Sequence, residues 1–174
     1  MKTVQAAFDV RLISPIFSAG EYRIFVERND LIFIQIEGGA RSVLEAAAPL
    51  LGPFGGLIPL VLWLFTKRKA KARRQRIEES DPEDLLRDSE KNFKLYAAEI
   101  RDAWIDTGSL FVARKGAGRL GLLVRHGEKI RCEFKNTAEM SRAIQLLSPL
   151  LNSTLKINVI WNAQKQRFDK KKKS

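Results

Sequence analysis

Cysteine and histidine are almost missing from this chain: Cys132 and His126 are the only ones in 174 residues. A lone cysteine excludes an intrachain disulfide framework and fits a reducing compartment. With one residue of each kind there is no set of side chains from which a zinc site is usually built. The Gly-containing stretch Lys115 to Gly118 (KGAG) lacks the Gly-x-x-x-x-Gly-Lys spacing of a phosphate-cradling loop. The opening residues lack the continuous apolar core of a secretory segment, since Asp9 and Arg11 interrupt an alternating pattern, and no cleaved signal is expected. Acids are also scarce relative to bases, 20 against 31, leaving a formal net charge of +11. That balance favours anionic partners, either phosphate-rich membranes or nucleic acid.

Candidate catalytic groups are correspondingly few. His126 stands beside Gly127 in an expected hairpin turn, and Cys132 alternates with Ile130 and Phe134 on an apolar strand face, where a small buried side chain is its expected role. Asp102 and Asp106 share one strand face as solvated acids. The expectation is a non-enzymatic protein with no cofactor and no metal.

What the chain does contain is a succession of strand patterns. Val4, Ala6, Phe8, Val10 and Leu12 alternate with Gln5, Asp9 and Arg11, a period of two that predicts a half-buried strand over Val4 to Ile13. Tyr22 to Glu27 and Leu31 to Ile36 are rich in β-branched and aromatic residues, and Arg28, Asn29 and Asp30 suit a tight turn between them. Further on, Phe93 to Tyr96 with Ile100 to Asp106 predicts one long, bent strand, followed by strands at Leu110 to Arg114, Arg119 to Arg125 and Lys129 to Lys135. Leu120, Leu122, Val124, Ile130, Cys132 and Phe134 fall on one face of the last pair. The period then changes. Asn136 and Glu139 form a helix-capping pattern, and Met140, Ala143, Ile144 and Leu147 recur at helical spacing up to Ser148-Pro149. Lys156 to Trp161 reads as a further extended segment, and the basic end from Lys170 as a solvated tail.

One long apolar run interrupts these strands: Ala46 to Phe65 has no charged residue and leads directly into Lys67 to Arg76, which carries seven basic residues. Its ten Leu, Ile, Val and Phe side chains favour bilayer insertion by about 3 to 6 kcal/mol. As one straight helix it would reach about 30 Å, enough to span the hydrocarbon. Pro49, Pro53, Pro59 and the Gly52 to Gly56 stretch argue instead for a reversal near the middle. Topology points the same way. Where strands on both sides of the run share a sheet, its two ends must lie on one side of a membrane. The expected form is therefore a helical hairpin with arms near Ser42 to Leu51 and Leu57 to Phe65, lying in one leaflet. Beyond Arg76 an acidic stretch begins, and Ser80-Asp81-Pro82-Glu83 predicts a short capped helix leading back to the sheet.

Three strands, an insert, four strands and a helix make the order of a seven-stranded antiparallel barrel or sandwich capped by a C-terminal helix. The segment Asn92 to Asp106 (NFKLYAAEIRDAWID), and Ala113 to Asn136 followed by a helix, resemble corresponding parts of bacterial pleckstrin-homology-like (PH-like) and GRAM-like domain proteins, including a Gly-rich hydrophobic insert between strands three and four. The resemblance covers roughly residues 20 to 150 and implies an α+β, PH-like fold and a binding role. It departs from phosphoinositide-binding PH domains in the first loop, Ser14 to Gly20, which has no Lys or Arg, so head-group specificity of that kind is not expected.

The domain plan is then 1–37 for the first three strands and 38–92 for the apolar hairpin, basic collar and acidic helical linker. Residues 93–162 supply the remaining strands, the helix and the final extended segment, and 163–174 the basic tail. Leu57, Ile58, Leu60, Leu62, Trp63 and Phe65 are the candidates for membrane insertion, and Lys67, Arg68, Lys69, Arg73 and Arg74 for anionic lipid. The basic residues place the insert's exit on the cytoplasmic face of a membrane. The alternative is an apolar hairpin packed across a homo-oligomer or against a protein partner. Nucleic acid is the weakest reading, because no aromatic residues interleave the basic collar for base stacking.

Overall fold

The structure, a computed structural model, describes residues 6–13, 20–38, 72–107 and 118–171. The insert from residue 39 to 71, the loop Ser14 to Ala19, the strand expected at Leu110 to Arg114 and the residues from Lys172 onward lie outside the described residues. The described chain runs β1 (Ala7–Leu12), β2 (Gly20–Glu27), β3 (Asp30–Gly38), α1 (72–79), α2 (Pro82–Arg87), β4 (Phe93–Tyr96), β5 (Ile100–Thr107), β6 (Gly118–Val124) and β7 (Lys129–Phe134). It continues with α3 (Thr137–Leu151), β8 (Leu155–Ile157), β9 (Val159–Asn162) and β10 (Arg167–Lys170).

Eight strands form one continuous sheet in the order β4-β3-β2-β1-β7-β6-β5-β8, while β9 and β10 pair separately. Every pairing within the large sheet is antiparallel except that of β5 with β8. The fold is thus α+β with a large open sheet and a C-terminal helix, one strand larger than the expected seven and not antiparallel throughout. β8 follows α3, which carries the chain back across the sheet and delivers it in the direction of β5.

Alternation determines the inner layer. Phe8, Val10 and Leu12 of β1, Tyr22 and Ile24 of β2, and all six apolar positions expected from the β6–β7 pair join one core with Met140, Ala143, Leu147 and Leu151 of α3. Residues from β1 to β7 meet in that single cluster, so the sheet curls around it. Asn136 caps α3 by accepting a hydrogen bond from the Glu139 N–H at 2.9 Å, as its spacing predicts. The helix does not stop at Pro149 but runs on to Leu151. Pro149 is exposed and lies in the last turn, where the carbonyl its missing N–H would have served can meet water.

The outer face of the first three strands is covered as well. Ala7, Phe25, Ile32, Ile34 and Ile36 form a second cluster with Ile77 of α1 and Leu85 of α2. This is why Leu31 to Ile36 shows no alternation: every one of these residues is buried, the odd and even positions serving opposite layers. Asn92 secures the return to the sheet. Its amide donates to Leu85 O at 2.6 Å and its carbonyl accepts from Gln35 N–H at 2.9 Å.

Two other expectations require correction. The single bent strand over Phe93 to Asp106 is two strands on distant parts of the sheet, β4 beside β3 and β5 beside β6. A 3-10 turn at Ala97–Glu99 separates them, stabilised by the Glu99 carboxylate accepting from Tyr96 N–H and by Ala97 N–H donating to Asn29 O. The stretch expected as a basic tail from residue 163 instead holds a turn and β10, with Lys170 as that strand's last residue.

Candidate functional site

The described chain on either side of the insert reaches one corner of the sheet. β3 ends with Glu37 opposite Glu21 and Gly38 opposite Gly20, while Arg11 of β1 faces Glu21 from the other side. The chain returns as α1, and Arg74 of that helix donates to the same Glu21 carboxylate at 2.7 Å and to Asp9 at 3.3 Å. Lys135, just past β7, donates to Glu21 at 2.8 Å. Arg23 grips Asp9 with Nε at 2.8 Å and Nη2 at 3.3 Å, and extends Nη1 to Glu78 at 3.2 Å. Two guanidinium groups and three carboxylates therefore pin both ends of α1 to β1 and β2, with Ile77 buried between the two attachments, and Lys135 joins the same network from the end of β7.

Burial gives this network its weight. Asp9 is only 7% exposed, and a carboxylate so placed is tolerable because two guanidinium groups satisfy its oxygens. Its backbone N–H, beyond the part of β1 that pairs with β7, donates to Glu139 Oε2 at 2.8 Å. The N-terminal turn of α3 is thereby fastened to the same strand. Arg76 pairs with Asp88 at 2.7 Å, which ties the end of the basic collar to the acidic linker.

A cleft of about 690 Å³ opens beside the network, between the first two strands, α1 and the start of α3. Six carboxylates line it, from Asp9, Glu27, Glu78, Glu79, Asp81 and Glu139, against the two guanidinium groups of Arg23 and Arg142. Such a lining repels phosphate, so the cleft does not suit an anionic head group. Glu27 is held above the ordinary carboxylate value, first by burial and then by the nearby charges of Asp81 and Glu83. Among the described residues no group of three or more His, Cys, Asp or Glu is placed to hold a metal ion. Burial pushes the Cys132 thiol well above its usual range. His126 is exposed in the turn between β6 and β7, next to Gly127 at φ +85°.

The sequence-derived candidates divide unevenly. Leu57, Ile58, Leu60, Leu62, Trp63, Phe65, Lys67, Arg68 and Lys69 lie outside the described residues. Arg73 is exposed on α1, whereas its neighbour Arg74 is half-buried in ion pairs with Asp9 and Glu21. The anchoring residues Asp9, Glu21, Ile77 and Lys135 carry no motif. Asp9 and Glu21 look like ordinary polar positions of alternating strands until the register places them under one helix. Among the described residues no helix is long and apolar enough to cross a membrane. No protein-family model matches the chain, and no curated protein matches it.

Proposed function

We propose that this chain is a non-enzymatic PH-like binding module that attaches to anionic membranes through the apolar insert Ala46 to Phe65 and its basic collar. The single observation that carries the reading is that the end of β3, with Glu37 opposite Glu21, and α1, whose Arg74 pairs with Glu21, share one corner of one sheet, so that the stretch containing the 20-residue apolar run departs from and returns to that corner. A single crossing of a bilayer would pull those ends apart, so the tether favours a run that enters and leaves by the same leaflet. The PH-like assignment rests on strand order. Seven strands run β4-β3-β2-β1-β7-β6-β5, with a helix directly after β7, and β8 to β10 are additions to that plan.

Attachment then uses two signals, each weak alone: Leu57, Ile58, Leu60, Leu62, Trp63 and Phe65 enter the acyl region, while cations at the exit meet head-group phosphates on the cytoplasmic face. Arg74 serves the fold, so the charge signal falls to Lys67, Arg68, Lys69 and Arg73. Vesicle flotation tests both halves. The full chain floats with vesicles of phosphatidylcholine and phosphatidylserine, and K67E/R68E/K69E/R73E weakens binding roughly a hundredfold. L60E/L62E/W63E abolishes flotation. A chain that ignores vesicles but forms a stable dimer, lost in L60E/L62E/W63E, would replace this reading with the scaffold alternative.

A further inference from the structure

The ribbon formed by β9 and β10 lies outside the large sheet and has no part in the corner described above. It is nonetheless rigidly built. Asn158 N–H donates to Ile105 O at 2.9 Å and Lys171 N–H to Asn158 O at 2.8 Å, fixing the base against β5, where Val159 is buried. At the far end Asn162 accepts from Lys165 N–H at 3.1 Å and donates to Asp169 at 2.7 Å, while Arg167 donates to the other Asp169 oxygen at 3.0 Å.

This ordered ribbon exposes apolar surface. Ile160 is 59% exposed and the adjacent Trp161 47%. The Trp161 ring stands edge-on to Phe168, with ring centroids 5.1 Å apart. Isolated exposed apolar residues are ordinary, but here alternation puts Ile160 on one ribbon face beside Asp169 and gathers Trp161, Phe168 and Lys170 on the other, where with the nearby exposed Lys165 and Lys171 they form a mixed patch of defined chemistry. The one carboxylate, Asp169, is already shared between Asn162 and Arg167 and leaves the remaining cations uncompensated.

We propose that the β9–β10 ribbon is a second membrane contact, separate from the insert, in which the Trp161 face enters the interface of an anionic lipid surface and Lys165, Lys170 and Lys171 meet its phosphates. An indole is suited to that depth because its ring is apolar and its N–H remains near water. Charge complementarity selects an anionic over a neutral surface. A single-stranded nucleic acid fits less well: successive bases need successive aromatic faces, whereas the neighbour of Trp161 along the strand is aliphatic and its cross-strand neighbour Phe168 is half-buried at the edge of its ring.

The chain's three tryptophans allow a direct test, since Trp63 lies in the insert, Trp104 on β5 and Trp161 on the ribbon. In the full-length W63F/W104F protein, Trp161 emission moves to shorter wavelength and is quenched by brominated acyl chains when phosphatidylserine-containing vesicles are added. Pure phosphatidylcholine vesicles leave it unchanged. Adding K170E/K171E weakens the titration roughly tenfold or more. The full-length W104F/W161F protein reports the insert through Trp63, so the two readings fail separately: a silent Trp161 beside a responsive Trp63 overturns the ribbon contact alone, and the reverse overturns the insert. An oligonucleotide that shifts Trp161 emission when vesicles do not would also overturn it. Should W104F unfold the protein, fluorine NMR of the unmutated chain labelled with 5-fluorotryptophan resolves the three sites, and an unperturbed Trp161 resonance on lipid addition refutes the proposal.

Discussion

Glu27 shows how one side chain records its surroundings. The folded state holds its proton more tightly than the unfolded chain, because burial and the carboxylates of Asp81 and Glu83 disfavour the ionised form more than Lys94 supports it. Ionisation therefore removes stability as pH rises through the carboxylate range, and the full penalty is present at neutral pH. E27Q is expected to raise the urea midpoint at pH 7. The gain should vanish below about pH 4, where Glu27 is protonated in both states; unfolding curves at several pH values check this. Nothing in the run Phe25-Val26-Glu27-Arg28 announces that environment. It arises because the capped start of α2 is brought across the outer face of β2 and β3.

At the scale of elements, α1 and α2 convert a one-sided sheet into a three-layered one. Ile77 is 1% exposed and fills the outer cluster against β1 to β3. I77A should destabilise the protein by about 2 to 4 kcal/mol, through lost transfer energy and the cavity left behind. Urea unfolding measures the loss, and limited proteolysis should show cleavage within 72–87 becoming faster. Other elements were directly legible. The Asn136 and Glu139 spacing marked the start of α3, Asp81-Pro82 marked that of α2, and alternation assigned the core faces of β1, β6 and β7. The failures share one cause, which is that a local pattern does not name its partner. Phe93 to Asp106 is strand-like at both ends, but only pairing with β3 on one side and β6 on the other divides it. Pro149 ends helices in general, yet near a solvent-exposed last turn it removes just one bond and α3 continues.

For the whole molecule, the arrangement of strands around the insert makes a statement about sidedness. Asn29 and Asn136 are exposed on the two portions of chain that flank the insert, and the sheet joins those portions. In intact cells, N29C and N136C should be labelled, or protected, together by a membrane-impermeant thiol reagent. The native Cys132 stays silent because it is buried with its thiol strongly disfavoured from ionising. Opposite labelling of the two sites would refute the shared tether. Sequence by itself determined β1 to β3, β6 and β7, the two helix starts, the inner core faces and the charge asymmetry, because each follows from side-chain period, capping chemistry or composition within a short stretch. Tertiary structure alone decided that Arg74 belongs to Asp9 and Glu21, that Ile77 completes a second core, that the last strand of the sheet is parallel and that residues 159–170 form a ribbon. Those outcomes depend on which distant groups meet, and on the cost of leaving a buried charge or an apolar sheet face without a partner.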